Sequence, residues 1–273
     1  GLRLLWKSLV RKDDEMYINS EHYVEVPNDL PENKDVSALA TLIYVCLLML
    51  KTMYGYSLTS IRQMCDMISL GRIDKVYRRV RSAISELIDI GLIEIHSLEQ
   101  ERLEVNNITK DSSFYVTFET FDDNYFKVFI DDVNQIVRNY KKFSIMDVSN
   151  FFRYYLVIQR WTNFQDNIEC RHVANSKVKF IVSDNRTIQK YNNTLQEMRI
   201  FWFENGYRSS LGNRVISTRF ARCRVISQEA FQKKVAQWAI QNDYIPYSKL
   251  AVNEKRHNTQ LINWDKKRMQ QVS

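Results

Sequence analysis

Only 6 glycines and 3 prolines punctuate the 273 residues. So few breakers argue against an α/β enzyme built on Gly-rich loops and favour a mostly helical, tightly connected chain. Neither a G-x-x-x-x-G-K-[ST] phosphate loop nor an H-E-x-x-H metal helix occurs. The 4 histidines, His22, His96, His172 and His257, are dispersed. The 4 cysteines, Cys46, Cys65, Cys170 and Cys223, have the spacing of neither a disulfide framework nor a zinc ribbon. Reduced structural thiols in a cytoplasmic protein are expected. Cys170 and His172 alone supply too few ligands for a metal.

Long apolar runs are missing as well. The longest, Leu39 to Leu50, falls short of the roughly 20 residues that span a bilayer, so no membrane partner is expected. The opening GLRLLWKSLV is basic and apolar without the core or cleavage site of a signal peptide, and is expected to form a helix docking on protein. Paired aspartates stand at Asp122, Asp123 and at Asp131, Asp132. Adjacent residues do not face one another, so these read as caps or a solvated face, not as a divalent-metal site. Tyrosines are abundant, but a tyrosine nucleophile needs a metal or an activating base that no motif supplies. The expectation is a non-enzyme with no catalytic residue, cofactor or metal.

What is present is positive charge and helical periodicity. The formal net charge is +7 and apolar residues make up 45% of the chain. A polyanionic partner is favoured, and the length suits about two domains, each with its own core. Residues 1–36 read as an N-terminal helix or arm and linker, with a short extended patch at HYVEVP. Ser37 or Asp35 is placed to cap a buried helix that Gly55 ends, and Thr59 to cap the next, SIRQMCDMI. In RIDKVYRRVRSAISELIDI, the residues Ile73, Val76, Val80, Ala83 and Leu87 recur at helical spacing, which leaves Arg72, Lys75, Arg78, Arg79 and Ser82 facing outward. Two strands, in GLIEI and SFYVTFE, follow. Three helices and a strand pair over 37–121 predict a winged helix-turn-helix, whose third helix enters a DNA major groove. The loop between these strands carries more acid than base, so its tip is expected either to point away from DNA or to serve a protein contact.

Residues 122–143 read as a connector, and 144–226 repeat the pattern. The stretch SIMDVSNFFRYYLVIQRWTN is an apolar, aromatic helix with Phe151, Tyr155 and Ile158 on its inner face, and Lys177 to Ile181 a short scaffold helix. Over Arg186 to Met198, the inner residues Ile188, Tyr191, Leu195 and Met198 leave Arg186, Thr187, Gln189, Lys190 and Asn193 as groove-facing candidates. Arginine suits guanine, glutamine and asparagine suit adenine, and lysine suits phosphate. The strands that follow carry Arg208, Arg214, Arg219, Arg222 and Arg224, a basic wing expected to hold the DNA backbone. Residues 227–273 form a helical, basic extension that begins at a Ser227 cap. The expected fold class is mainly α with small β-wings, in two winged helix-turn-helix domains.

In layout, the chain resembles the plasmid and phage replication initiators of bacteria that carry two winged-helix domains, and more distantly the winged-helix replication-restart proteins. The residues that carry the likeness are Ser57 to Ile95 and Lys177 to Phe203, above all DKVYRRVRSAISELIDIGLIEI and DNRTIQKYNNTLQEMRIFWF. The resemblance implies sequence-specific binding of double-stranded DNA with repeated or paired half-sites. It also implies self-association and recruitment of a helicase or helicase loader. A transcriptional regulator would use the same DNA chemistry, and a non-catalytic protein-interaction adaptor would use the same folds. The acidic first wing departs from the simplest initiator pattern.

Overall fold

The computed structural model describes residues 22–120, 124–162, 171–209 and 218–246. The fold is mixed α/β, about half helical, with small antiparallel sheets of two and three strands. Strands are more widespread than the expected wings. β1 (Tyr23–Pro27) pairs along its whole length with β5 (Tyr125–Phe129), far along the chain. Alternation explains this ladder: Val24, Val26, Phe126 and Val128 are buried while Glu25 and Lys127 face out. Residues 122–143 are therefore no mere connector. They hold β5 and helix α4 (Ile130–Asn139), which buries Val133, Ile136 and Val137.

Helix α1 (Ala38–Met49) is apolar on every side and buried from Leu39 to Leu48, as expected of a helix packed on two faces. Ser37 caps it, its hydroxyl accepting from the Ala40 N–H at 3.1 Å. The helix stops at Met49, short of Gly55, because the chain must turn into β2 (Tyr56–Thr59). Gly55 serves that turn with φ +85°. Thr59 ends the strand, and the cap of α2 (Ile61–Met67) is Ser60, which accepts from the Gln63 N–H at 3.2 Å. Helix α3 (Asp74–Asp89) buries Tyr77, Val80, Ala83, Ile84 and Leu87. Ile73, expected inside, precedes the first helical turn and is 59% exposed. Tyr77 takes its place in the core. β3 (Ile93–His96) and β4 (Phe114–Phe118) complete a sheet of order β2-β4-β3.

The same order of elements returns. Helix α5 (Val148–Thr162) leads to β6 (Arg171–His172), α6 (Asn175–Lys179), α7 (Asn185–Glu197), β7 (Phe201–Glu204) and β9 (Arg219–Arg222). The sheet order β6-β9-β7 matches that of the first half. α6 starts two residues before the predicted scaffold helix and also ends two before it. The ends of α3 and α7 match in detail. Leu92 N–H donates to Leu87 and Gly91 N–H to Ile88, just as Ile200 donates to Leu195 and Arg199 to Gln196. Gly91 (φ +76°) and Arg199 (φ +54°) both occupy the left-handed region that such a helix stop requires. β8 (Tyr207–Ser209) lies between β7 and β9 in sequence and pairs instead with β10 (Tyr244–Pro246), beyond helix α8 (Gln228–Gln241).

α1 packs against α3 on one side and α5 on the other, so one continuous core runs through both halves. A smaller cluster of Ala221, Ile226, Phe231 and Val235 sits under α8. Polar contacts fix the junction. Arg153 of α5, 7% exposed, donates to the carbonyls of Pro31 (2.9 Å), Val36 (2.7 Å) and Asn33. These carbonyls lie in the turn that leads into α1, and the Phe180 ring covers the guanidinium at 5.2 Å. Glu32, in the same turn, accepts from Arg160 (2.5 Å), Trp161 (2.9 Å) and Lys177 (3.1 Å).

Replacing Arg153 by methionine keeps the aliphatic stem but strands these buried carbonyls. Each unsatisfied group costs about 1–3 kcal/mol, so urea denaturation is expected to show a loss of at least about 2 kcal/mol. A loss below about 0.5 kcal/mol, well under the cost of one stranded group, would mean that the turn holds itself without α5.

Candidate nucleic-acid interface

The two charged helix faces are built alike. On α3, the turns that bury Tyr77, Val80 and Ile84 force Lys75, Arg78, Arg79 and Ser82 to the opposite side, where all four are exposed. Among the described residues no ion pair engages Lys75, Arg78 or Arg79. Arg72 lies in the turn before the helix and is held bidentate by Asp66, at 2.7 and 2.6 Å. This pairing raises its pKa further. Asp66 also offsets the charge that Arg72 would offer a phosphate. Arg79 and Ser82 border a cleft of about 340 Å³ shared with Glu86 of α3 and with Asp147 at the start of α5. The basic surface of α3 is therefore its first two turns, and its later turns meet carboxylates.

On α7, Arg186, Gln189, Lys190 and Asn193 are exposed over a buried side of Ile188, Tyr191, Asn192, Thr194 and Leu195. Two bonds order the polar ladder: Gln189 donates to Asn193 at 3.3 Å and accepts from Asn205 at 3.2 Å. Lys190 donates to the Ser144 carbonyl at 2.6 Å. Thr187 differs from its neighbours. It is half-buried, and both its N–H and its hydroxyl donate to Asp184 at 2.9 Å, so it belongs to the helix cap. That backbone N–H, joined by the hydroxyl, holds the Asp184 carboxyl below its usual range. α7 is anchored from behind: Tyr154 of α5 donates to Asn192 at 2.6 Å, and Gln135 of α4 to the Met198 carbonyl at 2.5 Å.

The basic wing changes most. Arg222 is 9% exposed and stands 2.6 Å from Asp132, with a second bond to Gln159. Arg224 reaches the other oxygen of Asp132 at 2.8 Å, and Tyr155 donates to the same carboxylate at 3.1 Å. Burial opposes the Arg222 cation, but Asp132 and Tyr155 together outweigh it and raise its pKa. Burial, reinforced by Asp132, pushes the Tyr155 hydroxyl well above its ordinary value. Arg222 is thus structural and has no path to a phosphate. Asp132, read from sequence as a cap or solvated residue, is 1% exposed and is the reason. Arg219 is half-buried with its guanidinium 3.5 Å from the centre of the Trp238 ring, and Arg208 is half-buried on β8 in register with Ile245. Arg214 lies outside the described residues.

The acidic loop between β3 and β4 is half docked. Arg62 N–H donates to the Lys110 carbonyl at 3.0 Å, the Arg62 and Asp111 side chains pair at 2.9 Å, and Ile108 is buried. Its tip carries exposed Glu99 and Glu101 beside exposed Leu98. Among the described residues no group of three or more His, Cys, Asp or Glu is placed to hold a metal ion. Among them, too, no helix is long and apolar enough to cross a membrane.

The Arg222–Asp132 pair yields a test. Arg222→Met leaves the buried carboxylate with Arg224 as its remaining cation and is expected to cost up to about 3–5 kcal/mol in chemical denaturation. The double variant with Asp132→Leu should recover part of that loss, since the buried charges are gone and Arg224, 39% exposed, can turn to solvent. Additive losses would mean that the two groups do not act as a pair.

Protein-family models and curated proteins offer no match to this chain, so residue chemistry and geometry carry its functional reading.

Proposed function

We propose that the chain is a sequence-specific double-stranded DNA-binding protein with two winged helix-turn-helix units, 37–121 and 144–226, which read paired half-sites with α3 and α7. The observation that carries this reading is the matched pair of exposed polar faces. Each lies on the third helix of the same helix–strand–helix–helix–strand–strand order, and each helix ends in the same stop. Two such faces on equivalent elements are more than a charged protein surface requires. Lys75, Arg78 and Arg79 supply phosphate and guanine contacts on the first helix. On the second, Arg186, Gln189, Lys190 and Asn193 offer both backbone and base-edge chemistry.

The role this supports best is that of a plasmid or phage replication initiator, or a replication accessory factor, acting without catalysis in the cytoplasm. It would self-associate on repeated sites and pass the assembled DNA to a helicase or its loader. The continuous core beneath both helices favours half-sites at one set spacing. Contacts to the DNA backbone would come chiefly from the helices, because Arg222 and Arg224 serve Asp132.

Alanine at Lys75, Arg78 and Arg79 together should weaken binding to a preferred duplex at least about tenfold, and alanine at Arg186, Gln189, Lys190 and Asn193 should do likewise. For each phosphate left without its cation, the dependence of log K on log salt should flatten by about 0.9. Fluorescence titration over a salt series measures both, with far-UV circular dichroism as the control for folding. Unchanged affinity and salt slope in both folded variants would refute these reading faces.

A further inference from the structure

The outer face of the sheet β2-β4-β3 carries chemistry that DNA binding leaves unused. Tyr56, Tyr115, Thr117, His96 and Gln100 line an open cavity of about 290 Å³. Tyr56 and Tyr115 meet edge to face, with ring centres 5.0 Å apart, and Tyr54 stacks on Tyr56 from outside at 6.3 Å. The surroundings are unusually apolar for a free surface: Met53 is 92% exposed, Tyr54 76%, Leu98 54% and Leu58 44%. Exposed Glu94, Glu99 and Glu101 accompany them and outnumber Arg102, which stands 3.7 Å from Glu94. Such a rim repels a phosphate backbone and attracts a cation. The volume sits at the low end for ligand clefts and suits a single large side chain.

We propose that this cavity receives the chain's own segment after Pro246, with Trp264 as the anchor and Lys266, Lys267 and Arg268 against the acidic rim. Charge selects this segment. Residues 247–273 carry 6 Lys and Arg against 2 Asp and Glu, whereas residues 1–21, which hold the other flanking tryptophan, Trp6, carry 4 of each. Reach allows it: the 18 residues from Pro246 to Trp264 can extend about 60 Å, more than the roughly 50 Å width of a compact chain of this length. Chemistry fits as well. An indole buries a large apolar area and keeps one N–H to satisfy, and Gln100 and Thr117 supply acceptors in the cavity wall. The docked segment would cover the exposed apolar face and withdraw its cations from DNA. The inference stands independently of the DNA reading.

The test uses the full-length Trp264→Ala protein, whose own segment lacks the anchor. A fluorescent peptide of residues 254–273 is titrated into it and followed by anisotropy. Saturable binding is expected, at least tenfold weaker for Tyr115→Ala added to the same protein, and weaker again for the wild-type chain, whose own Trp264 competes. Glu99→Lys with Glu101→Lys, at exposed positions that do not threaten folding, should also weaken it tenfold and flatten its salt dependence. Equal binding to the wild-type and Trp264→Ala chains, no effect of the glutamate changes, or no saturable binding would each overturn the proposal.

Discussion

The arrangement of this protein depends on a buried guanidinium. Arg153 leaves water to donate to three carbonyls of the turn before α1, and such a group is costly to bury unless its hydrogen bonds are satisfied. That requirement is directional. Apolar packing between α1 and α5 would tolerate sliding, whereas a planar fork with fixed acceptors admits one register. Burial lowers the Arg153 pKa, Glu86 opposing, and its carbonyl partners replace the hydration it gives up. Glu32, gathering Arg160, Trp161 and Lys177, holds the same turn from its other side.

From that junction, order passes outward to both charged helices. α1 supports α3 directly, and the Ser37 N–H at its start donates to Glu86 of α3 at 2.8 Å. α5 supports α7 through Tyr154 and Asn192, and supports β9 through Tyr155, Asp132 and Arg222. Side chains on either helix thus stand on a shared core rather than on separate bodies. A fixed spacing between the two exposed polar faces follows from this packing, and under the proposed function it would give paired-site recognition its geometric basis.

Periodicity made much of this legible. The inner face of α7, that of α3 from Val80 onward, the Ser37 and Ser227 caps, and strands β3, β4 and β7 follow from spacing and composition. Short elements were less visible. β6 has 2 residues, too few for alternation to stand out, β2 fills the short interval between two helices, and β1 and β5 come from distant parts of the chain. The wing arginines illustrate a different limit. Nothing local distinguishes Arg222 from Arg208 or Arg219, because its burial is set by a carboxylate far earlier in the sequence. Adjacent aspartates at a helix start read as caps, and only packing reveals that Asp131 faces solvent while Asp132 faces the core.

The central claim is that two reading surfaces held by one core engage DNA at a fixed separation. Selection of bound duplexes from a random double-stranded library at moderate salt, using the full-length chain, tests it most directly. Enrichment of two half-sites with one narrowly defined spacing, bound at least about tenfold tighter than a scrambled duplex, is the predicted result. Absence of enrichment by the folded protein, or enrichment of half-sites at freely varying separation, would contradict it.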